Sequence, residues 1–316
     1  MINLKKTNQH TAFIYCSIVL LMALLSISSL QAKTMNGIKY LVSFKTKRSA
    51  CMVRVNGFPV FDNFTSQSGT IAAGDNITSF IENGKNRVEV LMGSIDSKDK
   101  DTLYSDSECE ILITRDTIDT SEKVTTIKLS VDKDKNIVAT SSSSYDGFKQ
   151  EGRIVDEQLP EDNLLYLHRF YRDIEFSGIK EWSWVNADRT VTEKDLPAIQ
   201  ETYREIWQAM KDRNIKTLRK MAAISSQEMG DAEGISPDIV FESYNLPQNT
   251  LDTNLTLIDL EWGKYKLTTY CNGRVFRLSS GIYENSPLRL KNKNGEIVYS
   301  YTPYLSIING KVVIVR

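Results

Sequence analysis

Apolar positions along this chain change their spacing from one stretch to the next, and each spacing predicts a different kind of element. An unbroken apolar run from Phe13 to about Ile27 follows Lys5 and Lys6 and precedes Ser26, Ser28, Ser29 and Gln31. That order of positive, apolar and small polar segments predicts an export leader over residues 1–32, cleaved after Ala32, and so a periplasmic mature chain. A retained helical anchor is the competing reading, since the run barely reaches the roughly 20 residues that span a bilayer.

From Ile38 to about Val131 the spacing becomes alternating. In Cys51-Met-Val-Arg-Val-Asn, Cys51, Val53 and Val55 fall on one face of a strand and Met52, Arg54 and Asn56 on the other. Asn56-Gly57 then predicts a tight hairpin into Phe58-Pro-Val-Phe61. Further strands are expected at Thr70–Ala73, Arg87–Met92, Cys109–Thr114 and Val124–Val131, with a turn at Asn83-Gly84-Lys85-Asn86. Short strands with such punctuation predict a β-sandwich over residues 33–158. The polar stretch Asp132–Gln158, with its four serines at 141–144, reads as the boundary.

The second half, 159–316, mixes both periods. Leu164–Phe176 alternates around aromatics as a long strand, and Trp182, Trp184 and Val185 read as a short one. Thr192 and Asp195 form a capping-box start. Leu196, Ile199, Tyr203, Ile206, Trp207 and Met210 then fall on one helical stripe, and a second helix carries Ile215, Leu218, Met221 and Ala222. Gly230 and Gly234 are expected to end the helical region, apart from a short helix after Ser236-Pro237. Strands return at Leu255–Trp262, Lys264–Cys271, Val275–Leu278, Ile297–Tyr301 and a final pair joined by Asn309-Gly310. The fold class predicted is α+β and β-rich: an N-terminal β-sandwich followed by a helix-containing antiparallel-sheet domain.

The pieces Val53, Val55, Asn56 and Gly57, followed later by Gly84, Asn86, Val88 and Val90, resemble the galactose-binding-like jelly-roll modules. Such modules bind sugars, bind proteins or support a neighbouring domain, so the resemblance implies a sandwich and leaves the activity open. The order of the later elements is that of nuclear-transport-factor-like domains, whose sheet curls into a half-open cone around helices.

Composition narrows the chemistry. Removing the leader leaves 284 of 316 residues, with 37 basic against 40 acidic side chains, a net charge of −3. Without a basic excess to neutralise phosphates, nucleic acid is not an expected partner. His168 is the sole histidine after the leader, which rules out a multi-histidine zinc site; it lies mid-strand, and no Gly-x-Ser-x-Gly elbow accompanies it. Glu175, Glu181, Glu228 and Asp259 are candidate members of a carboxylate pair, with solvated surface charge the plainer reading. Asp96-Ser-Lys-Asp-Lys-Asp101 has the alternating acids of a calcium loop but lacks the glycine and the distal glutamate of an EF-hand; a charged loop tip is the preferred reading and a sandwich-loop calcium site the alternative, so no cofactor is expected. Cys51 and Cys109 are the expected disulfide, because both fall in strand-like segments of one domain of an exported protein, and Cys271 is left as a buried thiol.

With no catalytic set visible, the chain reads as a non-enzymatic binder. Trp182 and Trp184, with Tyr166, Phe170 and Tyr171, are candidates for a sugar-stacking or protein-binding surface, with packing in the core the preferred reading. The leader, the Cys51–Phe61 segment and the ending Tyr304–Arg316 resemble periplasmic immunity proteins that protect bacteria from type VI secretion effectors. That resemblance implies a toxic protein partner, neutralised by occlusion, and contact with membrane only through the cleaved leader. A carbohydrate-binding or envelope-associated accessory role is the alternative. Asn63-Phe-Thr, Asn76-Ile-Thr and Asn254-Leu-Thr are glycosylation acceptors only if the chain follows a eukaryotic secretory route.

Overall fold

A computed structural model describes residues 37–139, 154–281 and 283–316. The leader and its cleavage site therefore lie outside the described residues. Two five-stranded antiparallel sheets face each other in the first half. One runs in the order β4-β1-β6-β7-β8, built from β1 (Lys39–Lys47), β4 (Ala72–Asn76), β6 (Glu108–Asp116), β7 (Ser121–Val131) and β8 (Ile137–Ala139). The other runs β3-β2-β5-β10-β9, built from β2 (Ala50–Val55), β3 (Phe58–Asp62), β5 (Gly84–Gly93), β9 (Val155–Glu157) and β10 (His168–Phe176). Alternation places Tyr40, Val42 and Phe44 of β1 inward against Val53 and Val55 of β2 and Val88 and Val90 of β5, in one continuous buried cluster. The Asn56-Gly57 hairpin forms as expected, with both residues at positive φ (52° and 85°), the backbone a two-residue type I′ turn demands.

One strand crosses the expected division at 158/159. Strand β10, assigned by sequence to the second domain, pairs along its whole length with β5, from His168 opposite Met92 to Phe176 opposite Gly84. Its alternating buried side chains, Phe170, Ile174 and Phe176, complete the sandwich core, which binds the strand to the earlier sheet. The long strand expected from Leu164 is also shorter. Pro160 starts a helix, α1 (Pro160–Leu165), and Tyr166 closes it in a left-handed conformation at φ 55°.

Beyond β10, Trp182 precedes and Trp184 lies within a single 3₁₀ turn, Ser183–Asn186, rather than a strand. Helix α2 (Leu196–Lys211) buries Ile199, Tyr203, Ile206 and Met210, the stripe read from sequence. It is followed by α3 (Ile215–Met221), α4 (Ala223–Glu233), α5 (Pro237–Ser243) and α6 (Leu246–Leu251). Gly230 lies inside α4, and only Gly234, at φ 81°, ends it. A Cβ on Gly230 would lie 2.8 Å from the Ile235 carbonyl, so the glycine serves close packing rather than termination.

The remaining strands make two small sheets rather than one cone. The first contains β11 (Thr256–Leu257), β14 (Leu288–Lys291) and β15 (Ile297–Tyr301); the second contains β12 (Lys266–Tyr270), β13 (Val275–Ser279), β16 (Leu305–Ile308) and β17 (Lys311–Ile314). Phe276, Leu278, Leu290 and Leu305 pack with α2 into a second core. A third cluster joins this lobe to the sandwich: Phe58 of the first hairpin stacks on Tyr270 at 5.3 Å and meets Tyr304 at 5.0 Å, beside buried Trp182 and Trp184.

Candidate functional site

Two of the clefts among the described residues are built on opposite principles. The first, about 550 Å³, lies where the Asn56-Gly57 hairpin and the start of β5 meet the turn Thr269–Arg274. Its polar groups satisfy one another. Asn56 Nδ2 donates to Asn86 Oδ1 at 2.8 Å, Lys85 Nζ lies 2.9 Å from Asp173, and Arg274 Nη1 donates to Glu82 at 2.9 Å. The Glu82 hydrogen bond raises the Arg274 guanidinium further above its ordinary pKa. Arg87 lies over the Tyr171 ring at 3.8 Å. Three successive residues of the turn, Cys271, Asn272 and Gly273, have φ of 50°, 56° and 80°, a left-handed path that costs a non-glycine residue roughly 1–2 kcal/mol. Cys271 borders this cleft but is buried, and burial pushes its thiol well above the ordinary cysteine range, which favours the neutral thiol.

The second cleft, about 330 Å³, opens at one end of the sandwich between Ser49, Asn63, Ser94 and Ile95, and its rim carries Leu164, Tyr166 and Tyr283. These three are 63%, 60% and 70% exposed, among the most exposed large apolar side chains of the described residues. Leu164 and Tyr166 are supported from beneath. Fully buried Asp162 of α1 takes two hydrogen bonds from Arg169, at 2.8 and 2.6 Å, and Arg169 also donates to buried Glu89 at 2.5 Å. Burial opposes the Arg169 charge, but Asp162 and Glu89 more than offset it and hold the guanidinium protonated. The bridge fixes α1 on the sheet, and Tyr166 follows directly at its end. Gly93 fits the same design, since a Cβ there would lie 2.5 Å from the Tyr166 carbonyl oxygen.

The candidate surface Trp182 and Trp184 is corrected. Both are buried, at 1% and 0% exposure, and their indole N–H groups donate to the carbonyls of Thr78 and Ser79. Two rings flanked by the sandwich hairpin and the second lobe are removed from water because they seal that junction. Phe170 is buried in the sandwich, and Tyr171 lies beneath Arg87. Of the aromatic set proposed from sequence, Tyr166 alone stands on the exposed rim. Tyr283 and Leu164 went unread. Tyr283 lies in the turn-rich stretch Gly281-Ile-Tyr-Glu-Asn-Ser-Pro287, where an aromatic has no strand face to bury it.

The expected Cys51–Cys109 bond is absent: Cys51, Cys109 and Cys271 are all free and buried. The two sandwich thiols pack as core side chains, with Ser49 Oγ 3.2 Å from Cys51 Sγ. His168 Nε2 lies 2.6 Å from Asp156, a pair joining β10 to β9 and stacked on Phe170. Among the candidate carboxylates, Glu228 is buried, receiving Ser183 N–H at 2.7 Å and Arg316 at 2.5 Å, while Glu175, Glu181 and Asp259 are exposed. In the Asp96–Asp101 loop, Asp96 and Asp99 accept from the backbone N–H groups of Lys98 and Asp101. Among the described residues no cluster of three or more histidine, cysteine, aspartate or glutamate side chains could hold a metal, and no helix is long and apolar enough to cross a membrane. Asn63 and Asn76 are buried, with their amides bonded to Thr46 and to the Ala232 carbonyl, so neither presents a glycosylation acceptor.

Comparison with known protein families, curated proteins and solved structures gives no match for this chain.

Proposed function

We propose that this chain is an exported, non-enzymatic binding protein of the periplasmic immunity type, which neutralises a toxic secreted effector by covering it. The observation that carries this reading is the rim of Leu164, Tyr166 and Tyr283, standing exposed around a cleft walled by serine and asparagine. Tyrosine set among serine, asparagine and glycine is a composition suited to protein recognition. The ring supplies contact area at low entropic cost, and the small polar residues supply adaptable hydrogen bonds. The charged groups of the other cleft, by contrast, already neutralise one another, so a ligand gains little there.

The test is capture of envelope and secreted proteins with the mature chain, followed by expression of the captured protein in the periplasm of a sensitive cell. The expected result is growth arrest by the captured protein, relieved by co-expression of this chain. Tyr166→Ala combined with Tyr283→Ala is expected to weaken binding about 30-fold or more and to abolish relief without lowering Tm. Capture of a glycan in place of a protein, or turnover of a substrate by the purified chain, would overturn the proposal.

A further inference from the structure

Strand β17 ends its sheet, in the order β12-β13-β16-β17, so one of its two backbone edges has no neighbouring strand. The hairpin register decides which groups that edge presents. Ile308 and Lys311 pair across the Asn309-Gly310 turn, Ser306 pairs with Val313, and Val315 N–H donates to the Tyr304 carbonyl. Inward-bonded residues alternate in an antiparallel pair, so the N–H and C=O groups of Val313 are spent on β16 and those of Val312 and Ile314 point away from it. Among the described residues nothing bonds to the outward backbone groups of these two. Ile314 is only 2% exposed, and a buried N–H without a partner is rare. The open edge runs along a groove of about 730 Å³. Val312, Val313 and Ile314 all line it, and since successive strand residues point to opposite faces, the groove follows the edge of the strand rather than either face. Helix α2 forms one wall with Glu201, Glu205, Gln208 and Asp212 on a single helical stripe, while Met221 of α3 and Ile224 of α4 add apolar surface. The three carboxylates of that wall stand against one guanidinium, Arg204, which pairs with Glu201; Lys220, from α3, is the other cation of the groove. Gln208 donates to Asp212 at 2.8 Å, and Glu205 is exposed with no ion pair or hydrogen bond among the described residues.

We propose that this groove binds an extended segment of another protein, which adds to the four-stranded sheet beside β17 as a further antiparallel strand and places a lysine or arginine against Glu205. An extended chain offers N–H and C=O groups at the two-residue spacing of Val312 and Ile314. Helices α2 and α4, which approach β17, spend theirs internally and leave the ladder unfinished. The antiparallel sense is that of every pair in this sheet. Side chains of the added strand alternate, so every second one meets the α2 wall, where the excess of carboxylates selects a base. The groove lies on the second lobe and uses no group of the Tyr166 rim.

The probe is a phage-displayed library of short random peptides panned on the full chain, with the selected sequences then made synthetically. Enrichment of peptides carrying lysine or arginine is expected. Methylating alternate backbone nitrogens of a selected peptide gives two forms. The form methylated at the amides that face β17 should bind about 10-fold or more weakly, and the other should bind unchanged. In amide exchange read by NMR, the peptide should slow Val312 and Ile314 about 10-fold or more and leave Val313, already bonded to β16, as it was. Glu205→Lys should weaken binding about 10-fold at low salt without lowering Tm. Val312→Pro, which removes an outward N–H and none from the β16 ladder, should weaken it by a similar factor. Tyr166→Ala with Tyr283→Ala should leave peptide binding unchanged, which separates this site from the rim. Binding that is indifferent to which nitrogens are methylated, that leaves the exchange of Val312 and Ile314 unaltered, or that is undiminished in Glu205→Lys would overturn the proposal. A library that yields no binder, or a dimer of the chain that protects those two amides with no peptide present, would overturn it as well.

Discussion

The polar cleft at the lobe junction and the aromatic cleft at the sandwich end differ in what they leave unsatisfied. At the junction, Lys85 is matched by Asp173 within the sandwich sheet and Arg274 of the second lobe by Glu82 of the sandwich, and the nearby Trp182 and Trp184 are sealed inside. At the sandwich end the charges lie beneath the surface, in the Asp162–Arg169–Glu89 bridge, and the apolar rings are left outside. Charged groups in a cleft are thus a poor guide to function when each has its partner. Large apolar groups held in water by a rigid support are the more informative sign.

Removing the support should do the most damage. Arg169→Ala leaves Asp162 and Glu89 as buried carboxylates without a counter-charge, and about 3–5 kcal/mol of stability should be lost in denaturant titrations. Equal stability in the variant would show that the rim does not rest on this bridge. Trp184→Ala should cost about 3–5 kcal/mol by opening a cavity at the junction. A loss under 1 kcal/mol there, with a change in ligand binding, would restore the indoles as a recognition surface.

Tyr166 tests the opposite case. Its ring is largely exposed, so Tyr166→Ala should change stability by no more than about 0.5 kcal/mol. Tyr166→Gly, which relieves the left-handed backbone, should hold or gain up to about 1 kcal/mol in the same titration. Either variant that unfolds the chain would place the residue in the structure rather than on a working surface.

The smallest expected effects are electrostatic. The Arg189 guanidinium hydrogen-bonded to Asp195, together with the Thr192 backbone N–H, holds the Asp195 carboxyl well below the usual carboxylate range. The folded chain therefore takes up this proton less readily than the unfolded one. The stability it contributes is present above about pH 4 and is lost as the pH falls further. Asp195→Asn should flatten the acid limb of a plot of Tm against pH. On the alkaline side, burial pushes Tyr304 up to about 12, so its contribution is full below about pH 10 and is lost between there and pH 12. Tyr304→Phe should remove one late-titrating phenol from an absorbance titration.

Much of the fold was legible because it is encoded by neighbours in the chain. Asn56-Gly57 and Asn309-Gly310 are residues that accept positive φ, and each closes the hairpin read from it. The α2 stripe from Leu196 to Met210 and the Cys51, Val53 and Val55 face follow from the periods of helix and strand alone. Errors arose where a local pattern fits two settings. Leu164 and Tyr166 continue the alternation of β10 perfectly well on paper, yet Pro160 begins a helix and Tyr166 turns out of it. Gly230 reads as a stop but fills a tight approach inside α4.

Periodicity and turn chemistry in the amino-acid order were sufficient for the β-rich α+β class, because they act over a few residues. Which aromatic rings face water was settled by long-range contacts. Trp182 meets Thr78 across 104 positions and Arg169 reaches Glu89 across 80, and burial is a property of such distant pairs. For that reason the rim of Leu164, Tyr166 and Tyr283, gathered from separate segments around one cleft, has no signature in any single stretch of the chain.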